Sequence, residues 1–76
     1  MSRMKVMFGN LDEINSFVNI IRTIPYDVDL SRGKFMVDAK SILGVINLGL
    51  HNEILVNAPE EANEHLKEEI KEYLMA

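Results

Sequence analysis

Lys40-Ser41-Ile42-Leu43-Gly44-Val45-Ile46-Asn47-Leu48-Gly49-Leu50 reads as a short helix with both of its ends marked. Ser41 is the expected N-cap, because a hydroxyl oxygen can accept an orphan N–H group of the first turn. Gly49 suits the position just past the helix, where the backbone takes a positive φ that costs glycine nothing. So short a helix turns only part of its surface inward, and Val45 and Leu48 suffice for a core. Ile42, Leu43 and Ile46 are then expected to form a partly exposed apolar patch beside Ser41.

Working outward, Tyr26, Val28 and Leu30 alternate with Asp27, Asp29 and Ser31, as a half-buried strand requires. Arg32-Gly33 reads as a tight turn, and Lys34 to Val37 return as a second strand with Phe35 and Val37 on one face. Upstream, Met4, Val6 and Phe8 define a first strand that Gly9-Asn10 breaks. Asn10 followed by Glu13 has the form of an N-cap with a partial capping box, and Asp12 and Glu13 complement the helix dipole. Leu11, Ile14, Phe17, Val18, Ile21 and Ile24 recur at helical spacing until Pro25 stops the helix. Downstream, Ile54 to Val56 make a last strand, and Ala58-Pro59-Glu60-Glu61 opens a final helix. Ala62, Leu66, Ile70, Tyr73 and Leu74 form the stripe of that helix.

The predicted order is β-α-β-β-α-β-α in one domain spanning residues 1–76. Four one-faced strands and three one-faced helices predict a two-layer α+β fold, an open-faced β-sandwich. Its four-stranded antiparallel sheet carries the helices on one face and turns the other to water.

Composition narrows the function. With 12 acidic and 8 basic residues among 76, the formal charge of -4 argues against a nucleic-acid partner, which would favour a basic stripe. The absence of cysteine excludes disulfide scaffolds, zinc ribbons and thiol catalysis. No apolar run reaches the roughly 20 residues of a membrane span, and the start of the chain lacks a secretory apolar region, so a cytoplasmic protein without a membrane partner is expected. His51 and His65 lack the spacing and companions of a metal site, and the glycines form no phosphate-binding loop. No cofactor and no catalytic residues are expected. A core this small leaves little material for a deep pocket, which favours a surface function.

The block from Lys40 to Leu50 closely resembles the second helix of the histidine-containing phosphocarrier protein (HPr) family of the bacterial sugar phosphotransferase system. There Lys-Ser precedes two apolar residues, and the segment closes on Leu-Gly and an aliphatic residue. The likeness extends to the hairpin from Asp27 through Val37 and, weakly, to the closing strand and acidic helix. The resemblance implies an HPr-like fold along the chain and a regulatory phosphorylation site at Ser41, whose other reading is a plain N-cap. It also implies a partner surface at Lys40, Ile42, Leu43 and Ile46. The implied partners are phosphotransferase-system enzymes, the HPr kinase or a transcriptional regulator, and the same patch would suit a homodimer.

One departure from the family decides the functional reading. Its members open the first helix with Gly, Leu or Ile, and a phosphorylated His, followed by Ala or Thr, Arg, Pro and Ala. Here the stretch is Phe8-Gly9-Asn10-Leu11-Asp12-Glu13-Ile14, with Asn10 at the His position, Asp12 for Arg and Glu13 for Pro. Phosphoryl relay needs a nucleophilic nitrogen with cations and N–H donors around the phosphate. An amide is no such nucleophile, and two carboxylates repel the group. His51, in the turn after the second helix, is the candidate substitute; otherwise it is a solvated loop residue or a partner of Glu53 or Asp12. The expectation is a non-catalytic, HPr-like protein, regulatory or vestigial in sugar transport. The alternative is a small-molecule-sensing regulatory domain of ferredoxin-like or ACT type, which shares the β-α-β-β-α-β order.

Overall fold

The computed structural model describes residues 4–75. Its elements are β1 (Met4–Val6), α1 (Leu11–Arg22), β2 (Asp29–Arg32), β3 (Phe35–Asp38), α2 (Ile42–Leu48), β4 (Ile54–Asn57) and α3 (Asn63–Ile70). Single 3-10 turns at Glu60–Ala62 and Lys71–Tyr73 flank α3. The strands form one antiparallel sheet in the order β1-β4-β2-β3, giving the open-faced α+β sandwich that the apolar periodicities predict.

The ladder sets the inner face. Val6 pairs with Ile54, and Met4 and Leu30 both lie opposite Val56, so one row of alternate residues is buried across the three strands. Ile14, Phe17, Val18 and Ile21 of α1, Val45 and Leu48 of α2, and Leu66 and Ile70 of α3 close over that row. The other face carries Lys5, Ser31, Met36 and Leu55 in one cross-strand row, none of them buried. Phe8, Phe17 and Tyr73 meet edge-on, at 5.0 Å for the first pair and 5.5 Å for Phe17 and Tyr73, which ties the last turn to α1. Among the described residues no polar or charged side chain is buried, and no helix is long and apolar enough to cross a membrane.

Strand order separates two folds that share an element order. A ferredoxin-like sheet puts its first and third strands in the centre; here β1 and β3 are the edges, with β4 and β2 between them. The ferredoxin-like or ACT architecture held as the alternative is therefore not this fold.

Several local expectations shift. The second strand starts pairing at Asp29 rather than Tyr26. Leu11, expected in the stripe of α1, is 58% exposed at the first position of the helix. Phe35 shares the face of Val37 as expected, yet it is 70% exposed at the outer edge of the sheet. The last helix begins as a 3-10 turn, and α-helical bonding starts at Asn63. Gly33, with φ 60°, opens the two-residue turn of the β2–β3 hairpin, a conformation that favours glycine.

Candidate functional site

Two helix starts hold the residues on which the functional reading rests. At α1, Asn10 has extended backbone and its Oδ1 accepts the Glu13 N–H at 2.9 Å. Glu13 in turn reaches back, its Oε1 accepting the Gly9 N–H at 2.6 Å. This is a capping box displaced by one residue, since the carboxylate takes the N–H before the cap and not that of the cap itself. The donors that an anion would seek at this helix start are thus partly occupied from within the chain. Asp12, Glu13 and Glu72 line the shallow hollow beside Asn10, with Tyr73 as one wall. A dianion entering there would meet three carboxylates.

His51, in the turn after α2, is joined to the segment before that helix start by its backbone. Its N–H donates to the Phe8 carbonyl at 2.8 Å, and its φ of 60° is the left-handed conformation in which a histidine is uncommon. Among the described residues the ring itself has no hydrogen bond or ion pair. Glu53, expected as one of its partners, pairs instead with Lys5 at 3.2 Å. His65, on α3, is exposed and has a partner, its Nδ1 lying 3.2 Å from Tyr26 Oη. The Tyr26 phenol is raised above its ordinary value, first by burial and then by the Glu69 carboxylate.

At α2, Ser41 caps the helix as read from the sequence, its Oγ accepting the Gly44 N–H at 3.3 Å. It is exposed. Leu43 is 72% and Ile46 38% exposed on the same helix, while Ile42 packs partly against the core. Lys40, the other residue expected on the partner surface, is half-buried. Its ammonium donates to the Ile24 carbonyl, just past α1, at 2.8 Å. A cation is favoured there because the free carbonyls at a helix end carry partial negative charge.

Sequence reading missed Arg22. Its Nε donates to the Lys40 carbonyl at 3.1 Å, immediately before Ser41, so α1 lends a guanidinium to the start of α2. The contact joins residues 18 apart in sequence, and no local pattern announces it. Among the described residues, no three acidic or histidine side chains converge as a metal site. No protein-family model matches the chain, and no curated protein is similar to it.

Proposed function

We propose that this protein is a non-catalytic, HPr-like regulatory protein that acts by protein–protein contact and does not relay phosphate. One observation carries this reading: the amide of Asn10 and the carboxylate of Glu13 hold the N–H groups at the start of α1. In the family that the chain resembles, the corresponding turn presents a phosphorylated imidazole. A built-in carboxylate there is a poor host for a transferred phosphoryl group, whichever residue received it. His51 is joined to this region through its backbone N–H on the Phe8 carbonyl.

The contact surface of the proposal is the start of α2. Ser41, Leu43 and Ile46 present a hydroxyl and two aliphatic side chains to solvent on one rigid helix. Phosphorylation of Ser41 would place a dianion at the positive end of the helix, stabilising locally by about 0.3–1 kcal/mol. Arg22, docked on the preceding carbonyl, adds a nearby cation. The modification would change the charge shown to a partner and leave the fold intact. Phosphotransferase-system enzymes, the HPr kinase or a transcriptional regulator, in the cytoplasm, are the partners this reading implies.

Intact mass after incubation with the first enzyme of the phosphotransferase system and phosphoenolpyruvate is expected to be unchanged. A phosphoryl group gained at His51 would overturn the reading. Incubation with HPr kinase and ATP is expected to label Ser41; an unlabelled protein beside a labelled HPr control removes the regulatory arm.

A further inference from the structure

We propose that β3 is the pairing edge of an isologous dimer, two copies joining their sheets antiparallel with Met36 opposite Met36 of the second copy. This goes beyond the reading of α2 and Ser41 and does not depend on it. The fold treats its two sheet edges differently. At the β1 edge, Val6 bridges to Leu74 and the Met75 N–H donates to the Lys5 carbonyl at 2.8 Å, so the C-terminal segment covers it. At the other edge, among the described residues, β3 pairs with no strand but β2, although the Asp38 carbonyl at its end accepts the Ser41 N–H at 3.0 Å. Such an edge is a template for another strand unless something blunts it.

The pattern of β3 fixes which strand fits. Ala39 donates to the Val28 carbonyl at 2.9 Å, continuing the β2–β3 register of Asp29 with Asp38 and Leu30 with Val37. Antiparallel bonding alternates, so Phe35, Val37 and Ala39 turn their backbone groups toward β2. Lys34, Met36 and Asp38 turn theirs outward. A second β3 centred on Met36 meets them in phase, bringing Lys34 opposite Asp38 of the other copy at both ends. Sliding by the next in-phase step sets Lys34 or Asp38 against Met36 instead.

The charges are self-complementary, the Asp38 Oδ1 accepting only a backbone N–H, that of Lys40, at 2.9 Å. Neither Lys34 nor Asp38 has an ion-pair partner among the described residues. Asp38 also faces Asp29 across the β2–β3 ladder, a like-charge pair that an incoming lysine offsets. Between the charges, Phe35 and Met36 are 70% and 64% exposed. In this register Phe35 lies opposite Val37 of the partner copy, and the two Met36 side chains meet on the open face. A twofold contact of this kind closes on itself, giving a dimer and no filament.

Sedimentation equilibrium tests the proposal. The wild-type chain is expected to show a monomer–dimer equilibrium, and Lys34→Asp and Asp38→Lys, each turning both charge pairs repulsive, to weaken it about tenfold. Mixed in equal amounts, the two variants are expected to associate, because each then supplies the sign the other lacks. Met36→Pro removes an outward N–H that an edge strand can spare, and is expected to be monomeric with unchanged circular dichroism. Leu43→Glu should leave the dimer as it is. A wild-type monomer at all concentrations, single variants that dimerise normally, or a mixture that stays apart would each overturn the proposal.

Discussion

Glu13 serves two roles in one position: its N–H is bonded by Asn10, and its carboxylate closes the turn at Gly9. Both contacts are local, within four residues, and both the cap and its acidic partner were legible from residue type and spacing. What the side chain types could not tell is which N–H the carboxylate takes. Loss of the cap is expected to be measurable: Asn10→Ala should lower stability by about 1 kcal/mol, read as a lower denaturation midpoint with an unchanged slope. His51 shows the limit of reading at this scale. Its place in the turn after α2 was legible, but its left-handed backbone and the bond to Phe8 belong to the loop's path between α2 and β4.

The helix α2 divides its surface as its length dictates. Val45 and Leu48 are buried, Ile42 is half-buried, and Leu43 and Ile46 remain open to solvent. Leu48→Ala is expected to cost about 2–5 kcal/mol and Leu43→Glu less than about 0.5 kcal/mol, both from chemical denaturation. A loss of partner binding in the stable Leu43→Glu variant would then report on the surface alone. Lys40 stands at the same element boundary, with its ammonium turned toward Ile24. Its stem runs back to α1 and its ammonium serves the carbonyl of Ile24, so the lysine joins two helices. That role was hidden because the two residues are 16 apart in sequence and their meeting depends on how α1 and α2 cross.

At the scale of the whole molecule, three helices on one face of an antiparallel sheet leave the ends of the chain path to be tied down by side contacts. Tyr26 and His65 supply one such tie, linking the approach to the hairpin with α3. The Tyr26 phenol is raised above 10.0 in the folded state, so the fold favours the protonated ring. Stability from this group is complete below pH about 10 and is lost as pH climbs through the raised value. Denaturation at increasing alkaline pH should show that decline, and Tyr26→Phe should show less of it. Sheet order also belongs to this scale. The same run of elements serves both a sheet with β1 in the centre and one with β1 at the edge, and periodicity does not distinguish them. The exposed state of Phe35 follows from that order, since β3 has a neighbour on one side only.

By itself the sequence determined the order and kind of the regular elements, the caps of α1 and α2, and the inward residues of α2 and most of α1. These follow from short-range rules: a period of 3.6 or 2, a hydroxyl or amide at a helix start, a glycine where φ must be positive. Only the tertiary structure decided which strands became edges, what Lys40 and Arg22 bind, and that one edge is covered while the other is open. Each of these depends on groups far apart in the chain, brought together when the helices close over the sheet, and no local pattern encodes that meeting.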